Sequence, residues 1–305
     1  MTAPRDITVD AGSVELAVLD YGGDGPPAVF LHGGGRTAAD AHMVISAMGG
    51  AVRAVSVDFR GHGRSGPVTS WGFDDGVADV GAVIAGLGLD HPVVIGHSLG
   101  GMVAAAYGAR NGGCAGVVNV DGHGAGHASQ FDGIDPVEVE AALDRFAEES
   151  VAGFKSVQDE GDQAWVDSEL AESRAWLEKA GVDWVTVEPL LWRGYRDLGD
   201  GRWQRSPNAA VNSSMYLSLR GVEMMAHYRA LTCPTLIFRT NDEPSPDPFI
   251  ARMLDAYHVG LARQLGEVTA ANPLVTVEHF ASGHMIPLEA PTALAERLLA
   301  FVSSL

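Results

Sequence analysis

Residues 93–101 read Val-Val-Ile-Gly-His-Ser-Leu-Gly-Gly. An apolar stretch enters a turn with serine at its centre and glycine two residues to either side, and a run rich in small residues leaves it. This is the G-x-S-x-G pattern in strand–turn–helix context. Such a turn holds Ser98 in a tight backbone conformation with its oxygen above the sheet edge. A Cβ at position 96 or 100 would collide with the strand or the helix. The start of the helix behind the turn favours developing negative charge. The chemistry this suits is attack by a serine oxygen on a carbonyl carbon, once a base takes the serine's proton. The plainer reading, a buried turn serine, weakens as further motifs align with it. A second cluster, Asp121-Gly122-His123-Gly124-Ala125-Gly126-His127, resembles a metal site only in composition. No further ligand is evident and the glycines leave its geometry loose. It reads as a flexible hinge, and neither metal nor another cofactor is expected.

A serine turn needs a sheet to hold it. Apolar runs at 14–19, 28–31, 52–59, 92–95 and 116–120 alternate with helical stretches at 37–48, 74–87 and 99–110. This alternation implies a mostly parallel sheet with helices on both faces. It resumes with strands at 234–238 and 274–280 and helices at 248–265 and 291–302. The section between differs. Val139, Ala142, Leu143 and Phe146 fall on one helical face, and 163–180 and 207–231 are helical by composition. Asp200-Gly201-Arg202-Trp203 reads as a tight turn. A helical insert in an α/β chain is most simply a cap over the sheet's C-terminal edge, where such sheets bind ligands. The expected division is 1–126 and 232–305 for the core and 127–231 for the cap.

Composition agrees with this division. Residues 1–126 hold 27 of the 38 glycines, as a core rich in tight turns requires. Net charge is −19, and residues 131–200 alone carry 18 acids against 6 bases. That charge repels phosphates, which excludes nucleic acid and anionic membranes as partners. Residues 1–10 lack a basic segment followed by an apolar run, so no secretory signal is expected. The most apolar stretch, 92–109, contains His97, Ser98 and four glycines, which a bilayer span would avoid. Two cysteines, Cys114 and Cys233, make no disulfide framework. A cytoplasmic protein with a small-molecule partner is expected. Five of six tryptophans lie between 165 and 203, where they read as the insert's own core. Trp71 and His97 are the candidates for substrate contact, with Phe73, Met224 and Met225 behind them.

With these motifs in place, the chain resembles the α/β-hydrolase family over nearly its whole length. Leu31-His32-Gly33-Gly34-Gly35 is similar to the family's His-Gly oxyanion loop. Asp58-Phe59-Arg60-Gly61-His62-Gly63-Arg64-Ser65 resembles its D-x-R-G-x-G-x-S turn. Gly283-His284 follows the last strand, where members carry the catalytic histidine. The resemblance implies Ser98 as nucleophile, His284 as base, and backbone N–H groups of Leu99 and Gly34 as oxyanion donors. His32 and His62 read as structural.

The acid stays open. Members usually present it after the strand at 234–238 in a G-x-x-D-P pattern. Here Thr240 stands in the glycine's place and Glu243 on the aspartate, followed by Pro244. Glu243 is favoured, with adjacent Asp242 as the alternative. Asp121, ending the preceding strand, is a third candidate.

The implied activity is a cofactor-independent serine hydrolase. It would cleave an ester, lactone, thioester or related carbonyl bond of a small, mainly apolar substrate through an acyl-enzyme. An acyltransferase or cyclase would use the same residues, and a non-catalytic receptor the same scaffold. The insert's acidic surplus reads as a solvated surface.

Overall fold

A computed structural model of the chain describes residues 3–179, 182–241 and 245–305. The chain begins with a hairpin, β1 (Arg5–Asp10) and β2 (Glu15–Gly22). It continues as β3 (Pro27–Leu31), α1 (His42–Ala47), β4 (Arg53–Val57), α2 (Phe73–Gly86), β5 (Val93–His97), α3 (Leu99–Asn111) and β6 (Gly116–Val120). The insert follows as α4 (Pro136–Ser156), β7 (Glu160–Asp162), α5 (Gln163–Lys179), α6 (Trp184–Leu191), β8 (Tyr195–Gly199), β9 (Arg202–Arg205), α7 (Ala209–Ser218) and α8 (Met224–Ala230). The chain then returns as β10 (Thr235–Arg239), α9 (Pro248–Ala271), β11 (Val275–His279), α10 (Ile286–Glu289) and α11 (Pro291–Ser303).

The main sheet has eight strands in the order β1-β2-β4-β3-β5-β6-β10-β11. The first two pairings, β1–β2 and β2–β4, are antiparallel and the rest parallel. Central strands are covered on both faces, so their sequences read as unbroken apolar runs. Alternate residues serve opposite faces. Val29, Leu31, Val55, Val57 and Val94 pack with α2, α3 and α9, while Ala28, Phe30, Ala54, Val93 and Ile95 pack with α1 and α11. Residues 99–108 of α3 are all buried, which suits a helix made largely of glycine and alanine.

Register decides where the chemistry sits. His97 pairs with Val120, and Val120 with Phe238. Strands β5, β6 and β10 therefore end level, and Ser98, Asp121 and Arg239 emerge side by side at their carboxyl ends.

Two expectations change. The sheet begins with β1, whose polar, mostly exposed sequence hides an edge strand anchored by Val9. The insert is not wholly helical, because β7, β9 and β8 form a small antiparallel sheet. Its β8–β9 turn passes through Gly199, Asp200 and Gly201, all at positive φ, in agreement with the turn expected there. Trp192 packs on Trp203 and Tyr195, and Trp165 on Tyr195.

The insert is held to the core by packing and by charge. Phe131, Val139 and Leu143 pack on Met253 and Ala256 of α9. Arg193, between α6 and β8, donates from Nε to Asp58 Oδ2 at 2.6 Å and from Nη1 to Asp6 Oδ1 at 2.6 Å. Among the described residues, no helix is long and apolar enough to cross a membrane.

Candidate active site

Ser98 stands between β5 and α3 at φ 51°, ψ −118°, a conformation costly for a residue with a Cβ. The surrounding glycines make room for it. A Cβ on Gly96 would lie 2.0 Å from the Gly100 carbonyl oxygen, and one on Gly100 would lie 2.4 Å from that of Leu31. The Ser98 N–H donates to Val120 O at 2.8 Å, tying the turn to β6. Its hydroxyl lies 3.1 Å from His284 Nε2.

His284 comes from the loop after β11. Its Nδ1 lies 2.7 Å from Asp121 Oδ2. Asp121, the third of the sequence candidates, is thus in contact with the imidazole. Asp242 and Glu243 lie outside the described residues. Asp121 is at φ 58°, and its N–H donates to Phe238 O at 3.1 Å. Thr240 supplies two donors to the carboxylate, Oγ1–H to Oδ2 at 2.7 Å and N–H to Oδ1 at 3.2 Å. Nε2 of the buried His123 lies 3.7 Å from Oδ1. Burial alone would raise the acid's pKa. The His284 hydrogen bond, the facing His123 and the Thr240 hydroxyl outweigh it and hold Asp121 at about 2.

The other candidates separate into two groups. Gly34 and Leu99 line the cavity beside Ser98. Leu99 opens α3, so its N–H has no carbonyl one turn back to bond within the helix. His97 and Trp71, expected at the substrate, do not line this cavity. His97 is buried behind the loop, where its Nε2–H donates to the His284 carbonyl at 2.7 Å. Burial, and then the neighbouring His284, push its pKa down to about 4, so the ring is neutral at pH 7. Trp71 is a core residue, 2% exposed and edge-on to Phe59. A tryptophan in a connecting loop carries no sequence mark of which way it faces.

His32 bridges two loops, with Nδ1–H donating to Gly33 O at 2.7 Å and Nε2 accepting from Phe59 N–H at 3.1 Å. His62 Nδ1 lies 3.0 Å from Arg60 O. Both are buried structural residues.

A cavity of about 610 Å³ opens over Ser98 and His284. Its wall includes a stripe on α7 and its C-cap at helical spacing, Asn212, Met215, Tyr216 and Leu219. Leu143 and Phe154 of α4 and Tyr257, His258 and Leu261 of α9 complete much of the rest. The glycine-rich segment 122–126 forms another wall, and here the hinge expectation fails. Its carbonyls are pinned by side chains: Tyr228 to Gly122 O at 2.9 Å, Tyr257 to Gly124 O at 2.8 Å, and Arg220 to Gly126 O at 2.7 Å. Partners from α8, α9 and the segment after α7 hold it in place, and all are distant in sequence. Arg220 and Arg239 also line the cavity. Arg220 is itself paired with Glu140 and Asp144.

The model of the alpha/beta hydrolase family matches residues 28–297. The chain belongs to the alpha/beta hydrolase family. It is 39% identical over 109 residues to a non-heme haloperoxidase of Rhodococcus erythropolis, covering 35% of this chain and 39% of that protein. It is 38% identical over 101 residues to a bifunctional esterase/perhydrolase of Acinetobacter calcoaceticus, covering 32% of this chain and 36% of that protein. The matched segment thus spans less than two-fifths of the length of either relative. The crystal structure of E-2-(acetamidomethylene)succinate hydrolase superposes with TM-score 0.71 at 22% identity, covering 98% of this chain and 99% of that one. At that identity the likeness concerns the α/β-hydrolase fold.

Proposed function

We propose that this protein is a serine hydrolase that cleaves an ester or related carbonyl bond of a small, mainly apolar substrate through an acyl-enzyme. The observation that carries the reading is one continuous chain of contacts, Ser98 Oγ to His284 Nε2 at 3.1 Å and His284 Nδ1 to Asp121 at 2.7 Å, open to the cavity. The esterase relative supports the same reaction class.

In this mechanism His284 takes the Ser98 proton as Oγ bonds to the substrate's carbonyl carbon. Asp121 holds the imidazole with its proton on Nδ1 and stabilises the imidazolium that forms. The N–H groups of Leu99 and Gly34 receive the oxyanion. His284 then gives its proton to the leaving group. Water, deprotonated by His284, attacks the acyl carbon and releases Ser98. The insert serves as the cap, and the α7 stripe selects the substrate. The free, buried thiols of Cys114 and Cys233 agree with a cytoplasmic setting.

The test is labelling with a fluorophosphonate, with the modified residue located by mass spectrometry, beside a screen of p-nitrophenyl esters and lactones. Phosphonylation of Ser98, lost in Ser98→Ala, is expected together with ester turnover. An unmodified Ser98 without turnover of any ester or lactone would sink the proposal.

A further inference from the structure

We propose that Thr240 is a positioning residue, whose hydroxyl enables a carboxylate at the end of β6 to orient His284. This rests on the triad of the proposed function and extends it to a residue outside it.

The family resemblance places a glycine at this position. Here a β-branched residue stands beside Asp121 because β6 and β10 end in register, Val120 against Phe238. Thr240 covers both oxygens of one carboxylate, with Oγ1–H on Oδ2 at 2.7 Å and N–H on Oδ1 at 3.2 Å. Two donors fixed on one residue define the plane of the carboxylate. Oδ2 then has one remaining direction, which His284 Nδ1 occupies at 2.7 Å. A glycine would supply only the N–H, leaving the carboxylate freer to turn away from the imidazole. Threonine suits the role because its branched Cβ restricts χ1 and so fixes the hydroxyl. Asp121 needs this help, since at φ 58° its backbone is in a region that aspartate occupies at a cost.

Other titratable and charged groups surround the acid. Among the described residues they include His284 after β11, His123 after β6, Tyr228 on α8, Tyr257 on α9 and Arg239 on β10. Burial pushes both tyrosines up and His123 down to about 4, so these three are neutral near pH 7. On the acid side of neutral, His123 and, at lower pH, Asp121 change charge.

The experiment compares Thr240→Val, which keeps the N–H and the shape, with Thr240→Ser, which restores the hydroxyl. Asp121→Asn is run beside them. Each is assayed for p-nitrophenyl butyrate hydrolysis and for the rate of fluorophosphonate labelling of Ser98 across pH, with melting curves to verify folding. A hydrogen bond to a charged group predicts that Thr240→Val slows both reactions about 10- to 100-fold, with KM within about twofold. Without the hydroxyl donor Asp121 is more basic and holds the imidazolium proton more tightly, so the acid limb moves to higher pH. Thr240→Ser is expected to recover most of the rate and return the limb.

Wild-type rates and limb in Thr240→Val would overturn the inference. So would a slow, folded Thr240→Val with an unmoved limb that serine does not rescue, because that pattern belongs to packing. If Asp121→Asn keeps full rates, the triad reading fails and this inference with it. If Asp121→Asn is inactive and Thr240→Val is normal, only the role of Thr240 fails.

Discussion

Replacing Asp121 by asparagine should be far more damaging than the removal of one charge suggests, because the surroundings dictate which way the amide faces. Thr240 N–H points at Oδ1 from 3.2 Å and requires an acceptor there. The oxygen of the introduced amide must therefore take the Oδ1 position. Its NH2 group then falls at the Oδ2 position, 2.7 Å from His284 Nδ1. That forces Nδ1 to accept, which moves the ring proton to Nε2, the nitrogen facing Ser98 Oγ. The imidazole then presents a proton where it should remove one. Stabilisation of the imidazolium is lost as well. In a Ser-His-Asp triad this tautomer error costs about 10⁴ in kcat, equivalent to about 5.5 kcal/mol of transition-state stabilisation. The assay is kcat for p-nitrophenyl butyrate, with the Ser98 labelling rate as a substrate-independent check. Asp242→Asn and Glu243→Gln, assayed together with it, should remain within about threefold of wild type, because Asp121 already supplies the carboxylate to His284. The reasoning is refuted if Asp121→Asn retains a tenth of wild-type kcat or if Asp242→Asn or Glu243→Gln loses activity instead. The same substitution has a signature in stability. The Asp121 pKa falls from 3.8 unfolded to about 2 folded, so its charged contacts contribute fully above pH 3.8 and are lost as pH falls through about 2. A shift of that size corresponds to about 2 kcal/mol. The melting-temperature gap between wild type and Asp121→Asn should therefore narrow from pH 5 to pH 2.

Three further outcomes are expected. His97→Phe removes the donor to the His284 carbonyl while filling the same space, and kcat should fall about 10-fold with KM unchanged, as for a hydrogen bond worth ~1 kcal/mol or somewhat more. Because His97 is neutral down to a pKa of about 4, the pH profile above pH 6 should keep its shape. Arg193→Met leaves Asp58 buried without its cation, and urea unfolding should reveal a loss of about 3–5 kcal/mol; an unchanged midpoint would remove this ion pair as a tether of the insert. Met215→Trp adds bulk from α7 toward Gly34, where Met215 Cε already lies 3.0 Å from the position of a Cβ. Across a series of p-nitrophenyl esters it should shift preference to shorter acyl chains, and an unchanged profile would place the acyl group elsewhere.

The parts of this protein legible in one dimension are those in which a local constraint leaves a local mark. Val93-Val94-Ile95 leading into Gly96-His97-Ser98-Leu99-Gly100 reveals a strand, a strained turn and a helix, because the collisions that demand glycine lie within a few residues and against the adjacent loop. The parallel sheet is legible in the same way, since strands buried on both faces must be apolar throughout. Strand β1 was hidden because an edge strand with one anchored side chain can be polar. The sheet in the insert was hidden because its strands are short and charged, and only the turn at Gly199 to Gly201 is visible.

The site divides along the same line. Ser98 and His284 are marked by the loops that carry them. The placement of Asp121 beside His284 is not, because it depends on pairing between β6 and β10, whose facing residues lie 118 positions apart in the Val120–Phe238 pair. That pairing brings Thr240 and His284 onto Asp121. Tertiary structure also decided that Trp71 packs in the core, that His97 sits under the His284 loop, and that Gly122 to Gly126 form a wall of the cavity, since the groups that cover or pin them come from elements distant in sequence. The sequence by itself determined the sheet and singled out Ser98 and His284 as the candidates for nucleophile and base, because their marks are local and steric. Only the tertiary structure decided the partner of the base and the shape of the cavity, because hydrogen bonds and burial between remote segments leave no pattern in either one.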